Sequence, residues 1–230
     1  MKSANKKIII AIILIIFTLL LISVYVKILA RFDYQDHLDD TVISVDGECV
    51  TLREFGYYIY EVEDFVQNQA LLYDSENPKL WWNTHFSAGA DSQFVCEYAK
   101  KVALEVCTCD QIYYKEAIAS GFILDAAAET QNRVESRELF MEMDPSQIEA
   151  TGLNEEIIDK IYRKHMIASK YAETLSKRQD FISYGKKTEE VLNWDGEYYR
   201  EKILPKHEVE LNDKILDEII LGRITVNRED

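Results

Sequence analysis

The sequence predicts a mostly α-helical protein: an N-terminal transmembrane helix, then a helical domain with one small β-sheet built from segments near its two ends. Three observations carry this reading. Only 8 Gly and 3 Pro punctuate the 230 residues, too few for a chain dominated by strands and turns. Apolar residues recur at three- and four-residue spacing through the middle of the chain, which marks one buried helix face. Short alternating segments stand only around 42–50 and 207–226.

The first element is Ile8 to Val26, a run without a single charge. As a helix it spans about 28 Å, close to the hydrocarbon thickness of a bilayer. Lys2, Lys6 and Lys7 precede it, Lys27 and Arg31 follow, and acids begin at Asp33. The positive-inside bias places the N-terminus in the cytoplasm and 32–230 on the far side of the membrane. A cleaved signal peptide has a shorter apolar core and a small-x-small exit. Lys27-Ile28-Leu29-Ala30-Arg31 lacks that exit, and no lipobox cysteine follows. Residues 1–31 are therefore expected to be a cytoplasmic tip and an uncleaved anchor. The expected location is the cytoplasmic membrane of a bacterium, single pass, with 32–230 extracytoplasmic.

Residues 32–41 read as an acidic stalk. Asp33, Asp36, His37, Asp39 and Asp40 are taken as a solvated linker rather than a metal cluster. A single domain, 42–230, follows. Val42 to Val50 alternates around Asp46-Gly47, the strongest short hairpin signal. Thr51-x-x-Glu54 is a capping box that opens a helix to about Tyr73, with Leu52, Phe55, Tyr58, Ile59, Val62, Phe65, Val66 and Leu72 on its face. Asp74 to Asp91 is a loop with Pro78 and an aromatic knot. A second helix starts near Ser92, carries Val95, Ala99, Val102, Cys109, Ile112 and Tyr113, and closes at Gly121. Asp125 caps a third helix that ends near Met143, and Asp144-Pro145 breaks it. A short turn stops at Gly152. Asn154 caps a long helix to about Phe181. From Thr188 an amphipathic segment leads to Tyr198 and Tyr199. His207 to Leu211 alternates like a strand, Asn212 caps a short helix to Leu221, and Arg223 to Val226 is another short strand signal. The two ends of the domain are predicted to share a sheet, with 207–226 completing the fold.

Charge and motif content exclude several functions. The chain carries 26 basic and 41 acidic residues, net −15. All five basic residues of the first 31 precede the first acid, so 32–230 alone has a net charge of −20. Nucleic acid is not an expected partner, because no basic stripe is available to replace phosphate counterions. Glycine-rich phosphate loops are absent, and no cofactor or small-molecule substrate is expected. His37, His85, His165 and His207 are scattered without metal-ligand spacing. Cys107 and Cys109 point apart on a helix, and Cys96 lies too far from Cys107; Cys49 with Cys107 or Cys109 is the one disulfide pairing left open. No nucleophile motif occurs. The paired acids Glu61/Glu63/Asp64, Glu155/Glu156 and Glu189/Glu190 read as solvated faces. No catalytic residue is assigned.

Val42-Ile43-Ser44-Val45-Asp46-Gly47-Glu48 followed by Val50-Thr51-x-x-Glu54-Phe55 resembles the opening of SurA/PrsA-type chaperone domains, the SurA N-terminal and trigger-factor C-terminal-like group. Ala168-x-Lys170-Tyr171 near the end of a long helix is similar to them too, and Val209 to Ile220 fits the element that returns to complete that domain. The resemblance implies a helical chaperone-like domain that binds unfolded or extended polypeptide clients. Relatives often carry a parvulin prolyl isomerase domain. Between Phe181 and Leu204 only 22 residues remain, without histidine, so that activity is not expected here. The expected function is thus a membrane-anchored extracytoplasmic chaperone-like protein. The alternative is a membrane-tethered module for one folded envelope or secretion partner.

Two residue sets are candidates for client binding. Tyr73, Trp81, Trp82 and Phe86 cluster in and beside the first long loop; such rings either form an exposed apolar patch or fold back to cap the core. Phe140, Met141 and Met143, with Tyr57, Tyr58 and Tyr60, form a second set. Flexible methionine and amphipathic tyrosine suit a promiscuous groove, and they suit a core equally well.

Overall fold

The computed structural model describes residues 17, 32–87, 92–178, 181, 184–185 and 187–228. The chain divides into two units, Met1–Asp33 and Tyr34–Asp230, and the elements that follow belong to the second.

Asp46 and Gly47 sit at φ 49° and 80°. Both central positions of a type I′ turn need that left-handed backbone, which glycine adopts freely and aspartate tolerates. The turn joins β1 (Thr41–Val45) to β2 (Glu48–Thr51), antiparallel, with a register irregularity between Thr41 and Ile43. The third strand arrives from the far end of the chain: β3 (Val209–Leu211) pairs antiparallel with β1, Ile43 facing Leu211 and Val45 facing Val209. The sheet order is β2-β1-β3, so the predicted meeting of the domain's two ends is what the chain forms.

Thr51 opens α1 (Leu52–Tyr73) with a complete capping box: its hydroxyl accepts the Glu54 N–H, and Glu54 accepts the Thr51 N–H. Leu52, Phe55 and Ile59 are fully buried along its inner face, each contributing about 1.5–3 kcal/mol of apolar burial. Pro78 starts a single turn, α2 (Lys79–Trp82). The core helix α3 (Val95–Ala119) follows, then α4 (Ala126–Glu142), capped by the Asp125 carboxylate on the Ala128 N–H. Asp144 and Gln147 form a second capping box for α5 (Pro145–Thr151), which ends at a left-handed Gly152. Asn154 accepts the Ile157 N–H at the start of α6 (Glu155–Arg178). Helix α6 packs on α3 and α4, and α1 packs on α3. The remaining turns are α7 (Thr188–Leu192), a π turn (Tyr199–Ile203) running into a 3-10 turn (Leu204–Lys206), and α8 (Asp213–Leu216).

Four expectations differ from this architecture. First, the fold class led with a transmembrane helix, and a single-pass membrane location rested on it. Both are corrected: among the described residues no helix is long and apolar enough to cross a membrane. The long helices are charged along their length, α6 through Glu155, Glu156, Asp159, Lys160, Arg163 and Lys164. Residues 8–26, read as the anchor, lie outside the described residues except for Phe17.

Second, the segment read as an acidic stalk is docked. Gln35 Nε2 donates to the carbonyls of Glu149 and Ala150, and Tyr34 donates to the Leu52 carbonyl. Leu38 is buried, and Arg53 pairs with Asp39. Third, the helix expected over 213–221 stops at Leu216. Fourth, 223–226 forms no strand; its backbone N–H groups have another acceptor, the carboxylate of Glu63.

Candidate functional site

Among the described residues, exposed apolar side chains gather along α1 and the long connection from it to α3. Phe65 and Leu72, expected from their spacing on the buried face of α1, instead stand on its outer side with Tyr73; Leu80 is on α2, and Phe86 and Phe94 are on the approach to α3. Leu72 is 82% exposed, Tyr73 68% and Phe86 56%. Tyr73 lies against Trp81, ring centres 4.8 Å apart, and Phe86 stacks on Tyr98 at 4.1 Å. His85 bridges by backbone to Phe94 and packs its ring on it at 4.4 Å.

The loop keeps this shape because one of its rings is in the core. Trp82 is buried, and its indole N–H donates to Gln67 Oε1 at 2.9 Å. Gly222 lies flat on the indole; a Cβ there would come within 2.4 Å of Cδ2. The two adjacent tryptophans thus divide the two roles weighed for them. Trp82 folds back as core, while the half-buried Trp81 remains part of the surface.

The second candidate set is dispersed. Met143 is buried at the α4–α5 junction, Phe140 is half-buried, and Met141 is 74% exposed. Tyr57, Tyr58 and Tyr60 are buried. Trp82 and Met143 offer no surface to a client.

Two polar arrangements were not legible as sites. Glu63 is fully buried on α1 and gathers the C-terminal segment. One oxygen accepts the N–H groups of Gly222, Arg223 and Ile224, and the other accepts the Thr225 N–H and hydroxyl. Burial pushes this carboxyl up, and the Thr225 hydroxyl and the backbone N–H groups pull it back toward the ionised form. Gln67, one turn on, exchanges hydrogen bonds with the Asn227 side chain. The signal was present: Glu63 lies four residues after Ile59 on the apolar stripe, whereas Glu61 and Asp64 do not.

The other arrangement centres on Asp110, which stands among Cys107, Ile112 and Tyr113 on the buried face of α3. Its Oδ2 accepts the Tyr58 hydroxyl at 3.1 Å and lies 2.8 Å from His165 Nδ1. The Asp110 charge holds His165 above the ordinary histidine range. Asp110 therefore ties α1 and α6 to α3. His165 also borders a groove of ≈ 620 Å³ between α6 and α7, with Tyr113, Ala168, Ala172, Glu173 and Glu189 on its walls. Cys109 lines this groove, and burial pushes its thiol well up. Cys49, Cys96, Cys107 and Cys109 are all free thiols. Among the described residues no group of three or more His, Cys, Asp or Glu could hold a metal ion.

No family model, curated protein or solved structure matches the chain. The site is therefore read from its own geometry.

Proposed function

We propose that this protein is a chaperone-like binding module that holds unfolded or extended polypeptide segments on the aromatic surface between α1 and α3. The observation that carries the reading is the exposure of Phe65, Leu72, Tyr73, Leu80 and Phe86 beside a rigid support, the buried Trp82. Exposed apolar surface of this kind marks interaction sites. Aromatic and leucine side chains on an ordered backbone bind many apolar sequences weakly without a dedicated pocket. The net charge of −15 keeps a holder–client complex apart from other complexes and favours basic clients. Capture and release need no nucleotide, and affinity for any one segment is micromolar or weaker.

The test uses the purified full chain and light scattering from a chemically unfolded model protein. Suppression of aggregation is expected at near-stoichiometric ratios. The triple variant Tyr73→Ser, Trp81→Ser, Phe86→Ser keeps its helicity and loses most of that suppression. A folded wild-type chain that fails to suppress at about tenfold excess would overturn the proposal.

A further inference from the structure

The order β2-β1-β3 leaves β3 as an edge strand, and its edge is the one with a pocket beside it. Glu208 and Asn212 turn their backbone groups toward β1: the Asp46 N–H donates to the Glu208 carbonyl at 2.8 Å, and the Asn212 N–H donates to the Val42 carbonyl at 3.0 Å. The two-residue alternation of an antiparallel ladder assigns Glu210, paired with Ser44, to the same inward set. Val209 and Leu211 then direct their N–H and C=O groups away from β1. No partner for those groups is present among the described residues.

The side chains at this edge are unfinished too. Ile43 and Val45 are fully buried, and β1 contacts α3. Their partners Leu211 and Val209 extend that apolar face outward, where Leu211 is 45% exposed. Between them and the π turn lies a pocket of ≈ 240 Å³ walled by Leu104, Thr108, Trp194, Tyr199 and Leu204. Its size suits one large aliphatic or aromatic side chain rather than a whole small-molecule ligand, which takes about 300–1,000 Å³. Glu105 shares the pocket wall; one of its buried carboxylate oxygens has no hydrogen-bond donor and faces Arg200 at 3.6 Å.

We infer that an extended polypeptide segment adds as a fourth, antiparallel strand along β3 and seats an apolar side chain in this pocket. Outward donors and acceptors repeating every second residue are matched by a peptide backbone. Antiparallel addition continues the direction of the two existing pairings and is the stronger form for a short edge. Residues opposite Val209 and Leu211 place their side chains on the pocket face and donate their own N–H groups to β3. One set of residues on the incoming strand therefore supplies both the hydrogen bonds and the anchor. This does not rest on the aromatic surface, none of whose residues lines the pocket.

The probe is a fluorescein-labelled nonapeptide alternating leucine and threonine, titrated with the full chain and read by anisotropy. N-methylation of the leucine amides is expected to weaken binding about tenfold, because it removes the N–H groups that face β3. N-methylation of the threonine amides leaves binding within about twofold. Val209→Pro deletes one outward N–H and no β1 bond, and weakens binding about fivefold. Equal effects of the two methylation patterns would overturn the inference, as would absence of binding to wild type. Sedimentation of the peptide-free chain supplies the remaining outcome. A dimer that Val209→Pro converts to monomer shows that a second copy takes the edge, which also overturns it.

Discussion

Glu63 concentrates more of the fold's polar bonding than any other described side chain. A buried carboxylate is costly unless donors surround it, and here Gly222, Arg223, Ile224 and Thr225 supply them. Glu63→Gln keeps the shape but turns an NH₂ group toward N–H donors. A loss of about 2–4 kcal/mol in urea denaturation is expected, with faster amide exchange at 222–225. A change under about 0.5 kcal/mol would show that the clasp is dispensable. Gly222 is the matching position on the other side. Its φ of 91° disfavours any Cβ, and the Trp82 ring occupies the space a Cβ needs. Gly222→Ala should cost about 2–4 kcal/mol, because relieving either strain worsens the other. An unchanged urea midpoint would contradict that geometry.

Between elements, polar contacts do what apolar burial does elsewhere. Helix α4 has a weak apolar face, and its only fully enclosed side chains are Asn132 and Ser136. Both donate to Asp159 of α6, at 3.2 and 2.9 Å. Arg163–Glu129 and Tyr162–Glu135 add two more links across the same interface. Asp159→Ala strands two buried donors and is expected to lose about 1–3 kcal/mol. Hydrogen exchange should rise along 126–142 ahead of the other helices; a uniform rise would place α4 in the same cooperative unit as the core. The α1–α3–α6 junction makes stability depend on pH near neutrality. His165 has its folded pKa raised by Asp110, so the folded state binds this proton more tightly than the unfolded chain. The contribution is fully present below about pH 6.5 and is lost as pH rises through the raised value. Solvent screening of the half-exposed ring limits it to about 0.5–1 kcal/mol. Thermal midpoints between pH 6 and 9 should therefore fall more steeply for wild type than for His165→Gln. Parallel profiles would remove this pair as the source.

At the scale of the molecule, the unit Tyr34–Asp230 is closed by its own end. Strand β3 completes the sheet on β1, and 219–227 crosses α1 over Trp82 and Glu63. The hairpin and three helix caps were legible because they are local: Asp46-Gly47, Thr51/Glu54, Asp125 and Asn154 each act within a turn of themselves. Asp144-Pro145 reads as a break, and the helix it caps, α5, came from the structure. The sharing of a sheet by the two ends was legible for a related reason, since two short alternating segments have few places to pair in a helical chain. In 223–226 the apolar alternation predicts a strand, but the buried member is Thr225, held by the Glu63 carboxylate, so Ile224 and Val226 line no sheet face. The candidate site was legible only in part. Composition located the aromatic loop, but neighbouring tryptophans are equivalent until something packs on one of them.

Sequence by itself determined the helical class, the hairpin and the capped starts of α1, α4 and α6. Each of these depends on residues within a few positions of one another, or on composition alone. Only the tertiary structure decided that Trp82 is core while Tyr73 and Phe86 are surface, that Glu63 is a clasp rather than a solvated acid, and that β3 keeps an open edge. The packing of Trp82, the Glu63 clasp and the placing of β3 depend on partners about 140–170 residues away, and no spacing rule reports which distant backbone will arrive against a given side chain.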